Sequence, residues 1–214
     1  MVKDKPTQIE HTQIDIAVLI LAPILATMLS LIIEANFLTS TLLFFGVPSL
    51  YLSYRAKEKV KKTLTYSLLF SIPLSYIIDY LAILNKSWYV PTTIFPFRLP
   101  GEIPIEDMVW GFLLVYFVII FYEYFLDKGE DKINHKNRKY LALLFSLLVA
   151  GLFFFAIFLQ EILHIPYFYF FVCVFMIVCS VRILSVSPSL ISKVVMTGAY
   201  FFVLAIMFEL TGVL

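Results

Sequence analysis

Asp79-Tyr80-Leu81-Ala82-Ile83-Leu84-Asn85-Lys86-Ser87-Trp88 and, after a Pro-rich loop, Pro104-Ile105-Glu106-Asp107-Met108-Val109-Trp110 lie between two strongly apolar segments. The first half closes a hydrocarbon run of membrane-spanning length and the second half opens the next. The four carboxylates Asp79, Glu102, Glu106 and Asp107 and the only two Trp residues of the chain fall in this stretch. Polar groups are costly at membrane depth, which makes such a cluster a candidate site. The competing reading is an interfacial loop, rich in acids and Trp because it meets water and headgroups.

Outward from that stretch the sequence is mostly hydrocarbon. It is 61% hydrophobic and 14% charged, against about 25% charged in soluble proteins, and its mean hydropathy is +0.93. A bilayer core of about 30 Å needs about 20 apolar residues per helix. Seven such runs lie at residues 14–34, 36–54, 64–84, 104–126, 139–160, 165–185 and 190–213. The expectation is an all-α polytopic membrane bundle of about seven helices, the first retained and not cleaved as a signal peptide.

Charge sets the expected orientation. Lys3 and Lys5 precede the first run, Arg55 to Lys62 follow the second, Lys128 to Lys139 follow the fourth, and Arg182 and Lys193 flank the link between the last two. These groups hold fourteen of the sixteen basic residues, leaving Lys86 and Arg98 on the other side. The positive-inside rule puts the N-terminus in the cytoplasm and the C-terminus outside, in what is expected to be the plasma membrane. The basic clusters then read as orientation signals at anionic lipid and not as a nucleic-acid patch. Glu34, Glu161 and Glu209 fall on the same outer side as the central acids.

A duplication is also expected. Glu34 and Arg55 recur as Glu161 and Arg182 at an offset of 127 residues, which also sets Phe44 on Phe171. Three residues of slack then place Asp79 to Leu84 on Glu209 to Leu214. Residues 1–126 form the first copy and 127–214 an incomplete second, the two running parallel because four spans separate equivalent helices.

Pro104 suits a first helical turn, where its missing N–H is not needed. Glu106 and Asp107 are therefore expected at a helix N-terminus, beside unpaired backbone donors and the positive end of the helix dipole. Consecutive helix positions diverge by about 100°, so one carboxyl can face a cavity while its neighbour faces another helix. Pro48 and Pro73 are expected to kink their helices and leave room for a ligand. The 22 Phe and 13 Tyr read as packing or as cavity lining, with Trp and Tyr faces able to stabilise a cation.

Cys173 and Cys179 have no zinc or redox spacing, and His11, His135 and His164 are scattered, so no metal is expected. No two glycines lie closer than ten apart, which excludes a Gly-rich dinucleotide loop.

Asp79, Asn85, Trp88 and Pro104-Ile105-Glu106-Asp107 with Trp110 behind it resemble the repeat of the heterodimeric-type, non-flavin lycopene cyclases of carotenoid biosynthesis. Their signature is Pro-x-Glu-(Glu/Asp), two residues and an aromatic. The resemblance implies an intramolecular lyase (an isomerase) that protonates the terminal double bond of lycopene, closes a ring and loses a proton, with no cofactor. It implies catalytic roles for Glu106, first as the acid, for Asp107 as partner or base, and for Asp79. It also implies substrate-binding roles for Trp88, Trp110, Pro104 and Asn85. Single-chain members carry the acidic motif twice and two-chain members pair two copies, so the expectation is that this chain needs a second cyclase-type subunit or a second copy of itself. The alternatives from other classes are a small polytopic transporter and a non-catalytic membrane subunit. A transporter predicts charges at mid-helix, whereas the acids noted here gather at one end.

Overall fold

The computed structural model describes residues 13–90, 93–127, 160–186 and 188–213, with single positions between 143 and 158. The described residues are mostly helical, with one two-stranded turn among them. Helix α1 is Gln13–Ile32, α2 is Phe37–Arg55, α3 is Lys57–Leu84 and α4 is Ile105–Leu126. Strands β1, Arg98–Leu99, and β2, Ile103–Pro104, pair antiparallel between α3 and α4. A short 3-10 turn, Gln160–Leu163, precedes α5, Phe168–Val186, and α6 is Leu190–Val213.

Among the described residues, five helices (α1 to α4 and α6) are long and apolar enough to cross a membrane. They correspond to the first four and the last of the expected runs. The sixth run forms α5, within which a shorter apolar stretch, Tyr169–Arg182, is described. The fifth expected run, 139–160, lies largely outside the described residues, as do Lys3, Lys5 and the basic residues 128–139. Positions described there from 143 to 158 are helical.

One boundary differs from the sequence expectation. The polar stretch from Lys57 to Lys62, read as a link, is the first turn and a half of α3, which reaches 28 residues. Lys and Glu are good helix formers, and a single non-helical residue, Ala56, separates α2 from α3. Lys59 and Lys62, one turn apart and so on one face, both meet the buried Glu123 carboxylate of α4.

Backbone proximity sorts the described residues into two units that interleave in sequence: 13–67, 113–127 and 195–213 in one, and 68–90, 93–112 and those from 143 to 194 in the other. The first unit centres on aromatic packing. Phe208 of α6 meets Phe37, Phe44 and Phe45 edge-on, and Tyr200 stacks on Phe121 at 5.1 Å between centroids. Leu52, Phe117, Ile120 and Leu204 complete the core.

The prolines are absorbed in this unit by identifiable devices. Pro23 lacks the N–H that would bond the Leu19 carbonyl, and the Tyr200 hydroxyl donates to that carbonyl at 3.1 Å instead. Pro48 follows a widened π-type turn, Leu42–Gly46, inside α2, the kind of local insertion that bends a helix. Pro73, which belongs to the second unit, lies within the unbroken α3.

The first unit also buries an acid that the sequence reading passed over. Asp15, 0% exposed, accepts from Arg55 Nε at 2.8 Å and Nη2 at 3.1 Å, from the Tyr51 hydroxyl at 2.6 Å and from the Tyr124 hydroxyl at 2.7 Å. A planar guanidinium matches both carboxylate oxygens at once. The bonds join the start of α1 to the ends of α2 and α4, as an up-and-down arrangement of these helices requires.

The second unit packs the C-terminal half of α3 against the segment before α5. Ile77, Leu81, Ala82 and Leu163 are buried together, with Tyr80, Phe153, Ile165 and Val172 around them. This unit carries all the candidate site residues.

Candidate active site

The C-terminus of α3 is pinned by Asn85. Its Nδ2 donates to the carbonyls of Leu81 at 2.8 Å and Leu163 at 3.0 Å, and its Oδ1 accepts from the Ile165 N–H at 2.6 Å. The amide is thus engaged by backbone on both its donor and its acceptor side. Lys86 follows in the left-handed region, φ 53°, and turns the chain towards Trp88.

The loop then folds back as the β1–β2 hairpin. Gly101 (φ 84°) and Glu102 (φ 63°) make its turn. A side chain at Gly101 would collide with the Tyr80 ring, so glycine is needed for conformation and for space. Tyr76 donates to the Pro100 carbonyl at 3.0 Å, tying the turn to α3.

Pro104 ends β2 and, with Ile103, is buried, so α4 starts with Ile105, one residue later than Pro104 suggested. Glu106 and Asp107 lie in its first turn, each 3% exposed. Their surroundings differ, as expected of neighbours that diverge around a helix. Glu106 Oε1 accepts from the backbone N–H groups of Ile94 and, at 3.1 Å, Phe95. Its Oε2 and both oxygens of Asp107 are buried without a hydrogen bond among the described residues. One turn on, Gly111 lets α4 approach α3, since a Cβ there would strike the Ser75 hydroxyl.

Around the pair, the charge of Asp107 acts on Asp79, and Glu106, Arg98 and the Trp88 side chain act on Asp107. Trp88 approaches without satisfying either Asp107 oxygen as a hydrogen-bond donor. The Trp110 indole N–H is likewise buried and unbonded among the described residues. Asp79, Glu106, Asp107 and Trp88 therefore come together, while Asn85 and Pro104 shape the backbone that carries them.

Two members escaped the sequence reading. The charges of Asp79 and Asp107 both act on Tyr169 of α5; lying more than sixty positions from either in a run crowded with aromatics, it left no local signal. Arg98 entered that reading only as a charge on the outer side. Among the described residues no three His, Cys, Asp or Glu side chains converge as a metal site would require.

Residues 34–125 match the family model described as Lycopene cyclase. This segment is similar to the lycopene cyclases. The lycopene cyclase match contains Asp79, Asn85, Trp88, Pro104, Glu106, Asp107 and Trp110, and it contains Arg98 as well. Asp15, Tyr169 and the backbone partners of Asn85 lie outside it. No curated protein and no solved structure matches the chain. The match to lycopene cyclases covers less than half of the chain, and the described helices long and apolar enough to cross a membrane fit a membrane protein.

Proposed function

We propose that the chain catalyses acid-initiated cyclisation of a carotenoid end group, from lycopene to a cyclic carotene. The observation that carries this reading is the adjacent buried pair Glu106 and Asp107 at the opening of an apolar helix, inside the lycopene cyclase segment. A carboxylic acid proton adds to the terminal carbon–carbon double bond of lycopene. The cation so formed is attacked by a neighbouring double bond, closing a six-membered ring, and a carboxylate removes a proton from the ring. Substrate and product are isomers, so no oxidant or reductant enters.

The hydrogen bonds favour a division of labour opposite to the one the resemblance implies, which has Glu106 as the acid and Asp107 as its partner or base. Asp107, approached by Trp88 but with neither oxygen held by a well-formed hydrogen bond from a described group, is placed to hand over a proton. Glu106 is fixed as an acceptor through Oε1 and keeps Oε2 unengaged, which suits a base. Asp79 supplies a third carboxyl beside Asp107, and the faces of Trp88, Trp110 and Tyr169 suit cation stabilisation. The proposal extends to the orientation read from the basic residues, with the acid pair on the outer side of the plasma membrane. It extends also to the 127-residue duplication, and to assembly with a second cyclase-type subunit or second copy.

The test is pigment analysis of lycopene-accumulating cells that express the chain, alone and beside a module carrying a second acidic motif. Cyclic carotene in either setting supports the proposal, and unchanged lycopene in both overturns it.

A further inference from the structure

The loop between α3 and α4 is organised by one cation. Arg98 Nη1 donates to the Glu102 carbonyl at 2.9 Å, and Nη2 donates to the Val90 carbonyl. The guanidinium lies over the Tyr89 ring, 5.4 Å from its centroid, a cation–π distance. The backbone of Arg98 sits opposite Pro104 in the hairpin ladder. One side chain thus ties residue 90 to residue 102, the two arms of the loop.

Between those arms lie Ile94 and Phe95, whose N–H groups hold Glu106. Among the described residues no carboxylate stands at ion-pair distance from Arg98; its partners are carbonyls, which read the shape of the fork and not its charge alone. A Lys ammonium presents no such planar fork.

We propose that Arg98 is a positioning residue for the acid pair, clamping Val90 to Glu102 so that the Ile94 and Phe95 N–H groups stay on Glu106. This rests on the cyclase reading and adds to it a residue that acts without touching substrate. Misplacing a reacting group by about 1 Å can cost about a hundredfold in rate, and the clamp sets the position of Glu106 through two backbone donors.

The test uses the full chain in lipid nanodiscs, with Arg98→Gln and Arg98→Lys. Hydrogen exchange is read on peptides covering residues 93–99, with peptides from α1 and α2 as a folding control, and kcat and KM are read on lycopene with any required partner module present. Both variants are expected to exchange the Ile94 and Phe95 amides at least about tenfold faster. Both should lose about ten- to a hundredfold in kcat with KM changed less than about threefold. Unchanged amide protection in Arg98→Gln overturns the clamp. Full kcat in Arg98→Lys also overturns it, since charge alone would then suffice. Lost protection in the variants, with no cyclisation by the unaltered chain, supports the clamp and overturns the cyclase reading.

Discussion

Glu106 and Asp107 show how far single residues can be read from a sequence. Pro104 and the apolar run behind it locate them at a helix start, and their burial follows from the hydrocarbon on either side. What the sequence does not carry is the arrival of the Ile94 and Phe95 N–H groups at Glu106, because that depends on a hairpin closing across twelve residues. This arrangement separates two roles for Glu106 that one substitution would confuse. In Glu106→Gln the amide oxygen can still accept from both N–H groups but no proton can be exchanged. Loop amide exchange should therefore stay slow while turnover falls by about a hundred- to ten-thousandfold. In Glu106→Ala both should be lost. Full turnover in Glu106→Gln would confine Glu106 to holding the loop.

Asp15 was less legible, for a physical reason. A lone acid in the first turn of a helix is commonplace, stabilised by the dipole whether or not it has a partner, and Tyr51, Arg55 and Tyr124 are scattered over other helices. Breaking a buried pair strands the remaining charge. Asp15→Asn should lower the thermal unfolding temperature in detergent, while Asp15→Glu, which keeps the charge, should lower it less. An unchanged midpoint in Asp15→Asn would mean that the four hydrogen bonds do not hold these helices together.

At the scale of elements, hydropathy located five spans within a few residues, because about 20 apolar residues in sequence have few alternatives to a bilayer helix. It misplaced the start of α3, since lysines that leave the hydrocarbon do not thereby leave the helix. Pro48 and Pro73 were read as kinks and Pro23 was passed over; α1 keeps its helix through Pro23 with a borrowed donor from Tyr200. Interhelical hydrogen bonds in membranes average about 0.6 kcal/mol, so Tyr200→Phe should destabilise by about that amount. Denaturation in mixed micelles would show it. A loss well above 2 kcal/mol would assign Tyr200 a role beyond replacing the missing proline N–H.

For the whole molecule, the division of basic residues predicts that the ends of α2 and α4 near Arg55 and Glu123 face the cytoplasm. An alkaline-phosphatase fusion after Lys132 should be inactive, and one after Trp88 active. The opposite pattern would move the acid pair to the cytoplasmic side without altering its chemistry. The family signature was readable because it condenses acids, proline and Trp into one stretch. The interleaved units were not, since α3 and α4 each contribute to both and no composition change marks the passage.

The most direct measurement is chromatography of pigments from lycopene-accumulating cells expressing the chain with a module that supplies a second acidic motif, beside its Glu106→Gln/Asp107→Asn double variant. Cyclic carotene from the unaltered chain and lycopene alone from an equally abundant double variant is the predicted result. Undiminished ring formation by the double variant, with the partner module inactive by itself, would contradict the assignment of the chemistry to this carboxyl pair.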